Sequence, residues 1–314
     1  MVRELEAEAG NPPAVSVIVP THDRASSLGL LLDGLSRLNG REAIPFEVIV
    51  ANNAGNDATA ELVAKTAREY SASGGVAVRV VREPMPGKCR AQNAAIREAR
   101  GPILAFLDDD VQVDPQWLRA VHDFFKKGAF EVMQGPILMP PEMQNDQEFL
   151  RAYHRYRTIP FVQYNPGRRE ITTLTGANMA MRRELFSRVG LFDERLGPGR
   201  SGISEDVEFA QRIIRSGGRI GYEPRAAVYH EVDWSRLTEE FFRLRHEQQG
   251  RSRLLYKKNS ILTIVPNLLR SVWSLGWYSL MGKEREKYRA KGRYFHYMAM
   301  LSEKFKTFNP FNAL

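Results

Sequence analysis

Short apolar runs alternate with amphipathic stretches along the first third of the chain, and this alternation limits the fold more than any other feature. Four of the runs have the length of buried strands, at positions 15–19, 46–51, 76–81 and 103–107. The stretches between them, at 26–38, 57–70 and 90–100, carry apolar residues at helical spacing. Apolar strands separated by helices predict a doubly wound, mostly parallel α/β sheet with helices on both faces.

Polar or charged side chains follow these strands where each one ends. Thr21 and Asp23 follow the first strand, Asn52 the second, and the triplet Asp108–Asp110 the fourth. In an open parallel sheet the carboxyl ends of the strands line the ligand-binding crevice, so these residues are expected to meet in one cleft. The turn after the first strand, PTHDR, lacks the glycines of dinucleotide-binding and P-loop sequences, which excludes both of those classes.

The acidic triplet points to a cation. Three adjacent carboxylates repel one another, and at the end of a buried strand they need positive charge nearby. The simpler alternative is a solvated acidic turn, with Asp114 capping the next helix. The polar residues at the neighbouring strand ends favour a metal site.

Length and composition limit the number of domains and indicate the compartment of the protein. Its 314 residues, 43% of them hydrophobic, suffice for one large domain or for a core domain with an appendage. The single cysteine, Cys89, excludes an internal disulfide framework and fits a reducing compartment. Residues 1–10 lack the basic and apolar regions of a secretory signal. We therefore expect a cytoplasmic protein, either free or attached to the inner face of the cell membrane.

Positive charge is concentrated near the C-terminus. The whole chain has a net charge of +8, and residues 243–306 hold fifteen Lys/Arg against four acidic residues. A basic appendage on a mildly acidic body predicts contact with an anionic surface, either nucleic acid or a membrane.

An apolar run, ILTIVPNLLRSVWSLGWYSLM, lies inside this basic region at 261–281. Its length approaches that of a membrane span, but Asn267 and Arg270 near its centre disfavour spanning. An interfacial segment with Trp273 and Trp277 at the headgroup level fits as well as a helix packed on the body or on a second subunit of a homodimer. Nucleic acid is not expected as a partner, because the aromatic residues follow an apolar run rather than a basic face.

Seven segments match, in order, the motifs of a known family and cover residues 14–232. They are VSVIVPTHDR (15–24), VIVANNAGNDAT (48–59), PGKCRAQNAAIREARG (86–101), ILAFLDDDV (103–111), LTGANMAMRRELFSRVGLFDE (174–194), SEDVEFAQRIIRSGGRIGYEP (204–224) and VYHEV (228–232). The chain resembles the inverting GT-A glycosyltransferases of the family 2 type. The resemblance implies a nucleotide-sugar donor, a divalent cation, Mn2+ or Mg2+, and transfer with inversion at the anomeric carbon.

The resemblance assigns roles to the acidic residues. Asp110 is the position that meets the metal, His230 completes the metal site, and Asp108 and Asp109 contact the ribose or metal-bound water. A hard cation held by oxygen ligands neutralises the charge that develops on a leaving diphosphate. The alternative for His230 is a structural role, which is the commoner one for a lone histidine.

A base is also needed at the acceptor hydroxyl, and Glu205 and Asp206 are the catalytic candidates. Helical periodicity places Asp206 on the stripe of Phe209, whereas Glu205 lines up with Glu208 and Arg212, so we expect Asp206 to point inward. The resemblance also gives the base role to Asp206. The alternative is that both acids only complement a helix N-terminus.

The resemblance extends to the nucleotide-sugar site. Its candidate residues are Pro20, Thr21, Asp23, Arg24, Asn52, Lys88, Arg90, Gly176, Ala177 and Asn178. Lys88 or Arg90 is expected to reach the diphosphate, and 176–178 to form a small-residue turn beside the donor sugar, unless it is a plain tight turn. The resemblance implies a UDP-linked donor, but the chain departs from the family at Asn52, which stands where many members read uracil with an acidic residue. An amide can still pair with a base edge, although it is less specific evidence for uracil than a carboxylate.

The processive synthases of this family carry a QxxRW motif, whereas here Arg251 is followed by Ser252. We therefore expect transfer of a single sugar to a glycan or lipid-linked acceptor, in cell-envelope or polysaccharide synthesis. Residues 247–253 are expected to form a loop that closes over the diphosphate, with Gly250 as the hinge and Arg251 as the contact.

The expected organisation is a polar tail at 1–13, a GT-A catalytic domain at 14–242 and a basic, helical appendage at 243–314. Two other functions stay open. A sugar-nucleotidyltransferase also uses metal carboxylates on a doubly wound sheet, but it usually has a glycine-rich loop after the first strand. A catalytically inactive, membrane-associated protein that binds nucleotide sugars is opposed by the intact set of Asp110, Asp206 and His230.

Overall fold

The computed structural model describes residues 12–55, 57–72 and 76–308, so most of the predicted tail at 1–13 lies outside the described residues. The strands are β1 (Val15–Thr21), β2 (Phe46–Asn53), β3 (Ala77–Glu83), β4 (Ile103–Leu107), β5 (Val111–Val113), β6 (Val132–Gln134), β7 (Ile137–Leu138), β8 (Glu170–Ile171), β9 (Asn178–Arg182), β10 (Ile220–Tyr222) and β11 (Val228–His230). The α-helices are α1 (Ala25–Ser36), α2 (Asp57–Ala72), α3 (Lys88–Glu98), α4 (Trp117–Lys126), α5 (Gln147–Tyr156), α6 (Leu185–Val189), α7 (Glu205–Arg215), α8 (Glu239–Tyr256), α9 (Ile261–Leu280) and α10 (Glu284–Phe308).

The large sheet has the order β3-β2-β1-β4-β9-β6-β10-β8. Its first four strands are parallel, and β9 runs antiparallel between β4 and β6. Every strand and helix predicted in the first third of the chain is present, which confirms the doubly wound α/β sheet. The antiparallel β9 has no counterpart in the prediction.

Side chains alternate between the two faces of each strand, and helices cover both faces of the sheet. In β1, Val17 packs with Leu31 of α1 on one face. Ile18 packs on the other face with Ile96 of α3 and Phe209 of α7. Each large apolar side chain removed from water in this way contributes roughly 1.5–3 kcal/mol. This core fixes the strand ends, and therefore the polar side chains that follow them.

The cleft opens where β1 and β4 separate. β1 pairs with β2 as far as Thr21 opposite Asn52, but its pairing with β4 ends at Ile18 opposite Phe106. Pro20, which has no N–H to donate, lies beyond the last residue paired with β4, where a proline costs the ladder least. Side chains of the two strand ends line the resulting gap.

A second sheet of three short strands, β5-β11-β7, lies beside the acidic triplet. His230 stands opposite Val111 in this sheet, and the Glu231 N–H donates to the Asp110 carbonyl at 2.8 Å. His230 is the last residue of β11. The small sheet brings His230 back to the triplet although the two are far apart in sequence.

The C-terminal region is helical, as predicted, and α10 packs against α8, α9 and α5. Residues 247–253 lie inside α8, so the prediction of a closing loop is wrong. A Cβ on Gly250 would collide with the backbone carbonyl of His296 in α10, so this glycine permits close helix packing and is not a hinge. The domain boundary at 242/243 stays a prediction.

Candidate active site

The first two carboxylates of the triplet are held by α3 and by β1. Lys88 Nζ, at the start of α3, lies 2.5 Å from Asp108 Oδ1. Thr21 Oγ1, at the end of β1, donates to Asp109 Oδ2 at 2.6 Å. Burial raises the pKa of Asp109 to about 6, although the Thr21 hydrogen bond acts in the opposite direction. The Asp109 carboxyl is therefore more readily protonated than an exposed one, although Arg24 Nη1 lies 3.7 Å from its Oδ1.

Asp110 lies between two guanidinium groups and an imidazole. Its Oδ2 is 2.6 Å from Arg24 Nη1 and 3.0 Å from Arg236 Nη2. Its Oδ1 is 3.5 Å from His230 Nε2. Burial acts against ionisation, but the positive charges of Arg236 and Arg24, and that of His230 when it is protonated, outweigh it and lower the pKa of Asp110. Asp110 is therefore an ionised carboxylate whose Oδ2 is taken up by arginines and whose Oδ1 faces His230.

Asp110 and His230 fit a divalent cation by the chemistry of their facing atoms. His230 Nδ1 lies 2.8 Å from the Glu231 carbonyl oxygen, which can only accept, so in the neutral imidazole Nε2 carries a lone pair. Nε2 and Asp110 Oδ1 thus present two metal-binding atoms to the same space. Within the described ranges, no group of three or more His, Cys, Asp or Glu side chains is arranged to hold an ion. At nucleotide sites Mg2+ is commonly bound by one or two protein side chains, and phosphate oxygens complete its coordination.

Asp206 is fixed at the start of α7. Its Oδ2 accepts the Gly176 N–H at 3.1 Å, and its Oδ1 accepts the Val207 N–H at 2.7 Å. Burial raises the pKa of Asp206, against the opposing effects of Lys88 and of these two hydrogen bonds. A carboxylate that is held in place and has an increased proton affinity suits a general base.

Glu205 is buried whereas Asp206 is only half-buried, which corrects the inward assignment made from helical periodicity. The Glu205 carboxylate lies 3.6 Å from Lys88 Nζ, and a Cβ on Gly197 would be 3.3 Å from its Cδ. The loop before α7 therefore covers Glu205, which would be exposed to water on an isolated helix. Burial also raises the pKa of Glu205 to about 7.

The substitution Glu205→Gln is expected to change how stability depends on pH. The folded-state pKa of about 7 exceeds the ordinary 4.5, so the stabilisation is complete below pH 4.5 and is lost as the pH rises through 7. Between about pH 5 and about pH 8, the wild type should lose on the order of 2 kcal/mol of unfolding free energy relative to the variant. Urea denaturation at both pH values measures this difference. The same pH dependence in both proteins would show that Glu205 titrates normally.

Asp23 and Asn52 meet at the ends of β1 and β2. A Cβ on Gly55 would collide with the Asn52 side chain and lie 3.4 Å from Asp23 Oδ1. Asp23 has a φ of 53°, in the left-handed region, which turns the chain sharply after β1. The predicted nucleobase residues are thus brought together with Pro20 and Thr21, and the absence of a side chain at Gly55 keeps space open beside them.

Two residues of the predicted sugar-binding turn lie outside the cleft. Asn178 is fully buried, with Oδ1 accepting from Trp117 Nε1 at 3.0 Å and Nδ2 donating to two backbone carbonyls. Ala177 belongs to the apolar core. The ligand-binding prediction is wrong for both, because β9 begins at Asn178 and carries them into the sheet. Gly176 alone of the three reaches the cleft, through its N–H to Asp206.

Arg90 and Arg251, which were predicted to contact the diphosphate, form ion pairs outside the cleft. Arg90 Nη1 lies 3.3 Å from Glu194 Oε2. Arg251 lies 3.3 Å from Glu247 on its own helix and 3.6 Å from Glu303 of α10. The structure therefore corrects both assignments, since these ion pairs occupy the two arginines away from the triplet. Lys88 is the predicted cation that does reach it.

Arg236 and Arg245 are site residues that sequence reasoning missed. Arg236 lies in a 3-10 turn, Trp234–Arg236, and binds Asp110. Arg245 lies on α8, where burial lowers its pKa against the attraction of Asp206, so its guanidinium belongs to the surroundings of the base candidate. No motif marks either residue. Their nearness in sequence to His230 was the one available signal.

The sequence profile described as Glycosyl transferase family 2 matches residues 16–190. The succinoglycan biosynthesis protein ExoM of Rhizobium meliloti is 26% identical over 254 residues, which are 80% of this chain and 76% of that protein. Glycosyltransferase AglE of Haloferax volcanii is 24% identical over 210 residues, which are 65% of this chain and 62% of AglE. The chain thus spans about three fifths of AglE and three quarters of ExoM.

Solved structures share the fold. The mannosyltransferase PcManGT from Pyrobaculum calidifontis, in complex with GDP-Man and Mn2+, aligns with a TM-score of 0.60 at 18% identity, over 94% of this chain and 87% of that one. Residues 1–349 of S. aureus TarS, in complex with UDP-GlcNAc, align with a TM-score of 0.53 at 16% identity, over 93% of this chain and 92% of that one. At these identities the likeness establishes the architecture.

Proposed function

The chain belongs to glycosyl transferase family 2, and from this membership we propose that it moves one sugar from a nucleotide-sugar donor to an acceptor hydroxyl, with metal dependence and with inversion at the anomeric carbon. The observation that carries the proposal is the position of Lys88, 2.5 Å from Asp108 and 3.6 Å from Glu205. This lysine ties the acidic triplet to the start of α7. A group for the leaving diphosphate and a base for the acceptor therefore line one cleft.

Inversion follows from a single displacement. The acceptor oxygen attacks the anomeric carbon on the side opposite the diphosphate, the new C–O bond forms as the bond to the diphosphate oxygen breaks, and the hydroxyl proton passes to Asp206. One base and one stabilised leaving group are sufficient for this step. The hydrogen bonds from Gly176 and Val207 hold the Asp206 carboxylate in a fixed orientation.

Asp110 Oδ1 and His230 Nε2 would hold the cation, either Mn2+ or Mg2+. When bound, the cation neutralises charge on the departing diphosphate. Lys88 and Arg236 add fixed positive charge to the same side of the cleft, because each lies within 3.0 Å of a triplet carboxylate. The presence of Mn2+ in the PcManGT complex supports this assignment.

The donor is proposed to be UDP-linked, with the base beside Asp23 and Asn52. The Asn52 amide offers both a donor and an acceptor to a base edge. The two solved neighbours carry GDP-Man and UDP-GlcNAc, so both nucleotides belong in a donor screen. The acceptor is proposed to be a glycan or a lipid-linked compound of cell-envelope or polysaccharide synthesis, in keeping with the succinoglycan role in the name of ExoM.

The test is a screen of UDP- and GDP-sugars for release of nucleoside diphosphate with Mn2+, with Mg2+ and with a chelator. Release should need the metal, and calorimetry should show at least tenfold tighter binding of the preferred UDP-sugar when Mn2+ is present. NMR of a transferred product should show the anomeric configuration opposite to that of the donor.

Two outcomes would point to another function. Release of pyrophosphate from a nucleoside triphosphate and a sugar phosphate would identify a sugar-nucleotidyltransferase. Tight donor binding with no turnover on any acceptor or on water would identify an inactive nucleotide-sugar-binding protein.

A further inference from the structure

The helix α9 exposes most of its large apolar side chains. Its inward face buries two apolar residues, Ile264 and Leu268, together with two serines, Ser271 at 1% and Ser274 at 8% exposure. Its outward face carries large apolar side chains, among them Leu262 and Leu280 at 86% exposure and Trp273 at 67%. A surface helix normally buries its apolar stripe and exposes its polar one. An exposed contiguous apolar face marks contact with another apolar phase.

Two tryptophans form the centre of this face. The rings of Trp273 and Trp277 are stacked, with centroids 5.9 Å apart and planes inclined by 4°. Val272 and Leu269 are exposed next to them. Tryptophan is enriched at the boundary between lipid tails and water, because its ring is apolar and its N–H is polar. We name the outward side of α9, defined by Leu262, Leu269, Val272, Trp273, Trp277 and Leu280, the α9 face.

The charges around the α9 face have one sign. Residues 248–283 contain six Lys/Arg and no Asp or Glu. Arg270 is exposed within the face, Lys257 and Lys258 precede it, and Lys283 follows it. Long basic side chains beside an apolar face can bury their stems and leave their charges at anionic headgroups. A second copy of this chain would bring the same positive charges against each other, which disfavours a dimer through this face.

A basic cavity adjoins the N-terminal end of the α9 face. It has a volume of about 670 Å3 and is lined by Tyr256, Lys257, Lys258, Ser260 and Lys304, among others. Tyr256 also hydrogen-bonds the side chain of Ser204, which immediately precedes the base candidates of α7. The cavity is thus a basic recess next to the start of α9, and one of its lining residues contacts the residue before α7.

We propose that the α9 face docks the protein onto an anionic bilayer surface, with α9 lying in the plane of the headgroups and the basic cavity facing lipid phosphates. Among the described residues, no helix has the length and hydropathy needed to cross a bilayer. The docking itself does not depend on sugar transfer.

The test is flotation of the full chain with vesicles of phosphatidylcholine alone or with about 30% phosphatidylglycerol. The wild type should bind the anionic vesicles at least tenfold more tightly, and the difference should shrink at about 0.5 M salt. Trp273→Ala/Trp277→Ala should weaken binding more than tenfold. Lys257→Ala/Lys258→Ala should weaken it about thirtyfold, the effect of two charges near an anionic surface.

The chain offers matched controls for both variants. Leu30 is an exposed apolar residue on α1, and Lys126–Lys127 is an exposed lysine pair at the end of α4. Leu30→Ala and Lys126→Ala/Lys127→Ala should bind vesicles like the wild type. All four variants should release nucleoside diphosphate from a soluble donor at the wild-type rate, which shows that they are folded.

Three results would overturn the proposal. The first is equal binding of the wild type to neutral and anionic vesicles, and the second is undiminished binding by the tryptophan variant. The third is a wild-type dimer in light scattering that becomes a monomer on Trp273→Ala/Trp277→Ala without any vesicle binding, which would assign the α9 face to a second copy of the chain.

Discussion

Asp206→Asn is expected to lower the rate of sugar transfer about a thousandfold and to leave donor affinity within about twofold of the wild type, because general-base catalysis contributes roughly 10²–10⁴ to rate. The amide keeps the shape of the carboxylate and can still accept one of its two backbone hydrogen bonds, that from the Gly176 N–H, whereas its NH2 then faces the Val207 N–H. It cannot take the proton of an acceptor hydroxyl. Steady-state kinetics with saturating donor and Mn2+, together with donor calorimetry, separate the two effects.

The pH profile gives a second measure of the same role. Burial raises the pKa of Asp206, and a base acts only when it is deprotonated. The wild-type rate should therefore fall on the acid side as this carboxyl takes up a proton. The residual rate of the Asp206→Asn variant should lack that acid limb, because the amide does not titrate.

Glu205→Gln is the matched control, since it removes the neighbouring carboxylate of the same helical turn. Glu205 lies 3.6 Å from Lys88, so the variant should shift donor binding modestly and retain most of the transfer rate. The reverse result, with Glu205→Gln inactive and Asp206→Asn close to wild type, would make Glu205 the base.

The first half of the fold was readable from the sequence because its signals are local. A short continuous apolar run bounded by turn residues, such as Ile103–Leu107, is typical of a strand that is covered on both faces. The residue after such a strand lies at its carboxyl end whatever the rest of the chain does. The position of the triplet beside Thr21 therefore followed from the strands alone, and so did the doubly wound sheet.

The parts of the site that the sequence did not reveal depend on contacts between distant segments. The sequence does not distinguish a ligand-binding asparagine from a structural one. In the structure the Asn178 side chain hydrogen-bonds the indole of Trp117 and two backbone carbonyls. Helical periodicity placed Glu205 on the exposed side of α7, but the loop that precedes α7 covers that side and buries Glu205. Arg236 reaches Asp110 because the small sheet folds the chain back. None of these contacts has a local signature.

Residues 247–253 were predicted to form a loop but lie in α8, and here the cause is the role of a glycine. Glycine lowers helix propensity by about 1 kcal/mol relative to alanine, so Gly250 by itself favours an interruption of the helix. In the structure the same glycine lets α8 approach the backbone of α10 at His296. Tertiary packing thus outweighs the intrinsic preference, and Arg251 becomes part of an ion pair between helices.

Asp110→Asn is expected to remove the effect of Mn2+ on donor binding and to lower kcat/KM about a thousandfold, because a metal that stabilises developing charge contributes several kcal/mol to the transition state. Asp110 Oδ1 and His230 Nε2 are the two atoms that face the same space across 3.5 Å. A neutral amide oxygen binds a hard cation far more weakly than a carboxylate does. Calorimetry of Mn2+ binding to the protein with UDP present measures the loss without reference to turnover.

Asp109→Asn is the matched control for Asp110→Asn, because it makes the same chemical change one residue earlier in the same turn. Asp109 accepts from Thr21 and has a pKa of about 6, so its carboxyl is already partly protonated near neutrality and an amide replaces it at small electrostatic cost. Donor and Mn2+ together should raise the melting temperature of the wild type and of Asp109→Asn, as linkage requires for a ligand that binds only the folded state. In Asp110→Asn the increment due to Mn2+ should vanish. An unchanged increment in Asp110→Asn, or its loss in Asp109→Asn alone, would move the metal site from Asp110 to Asp109.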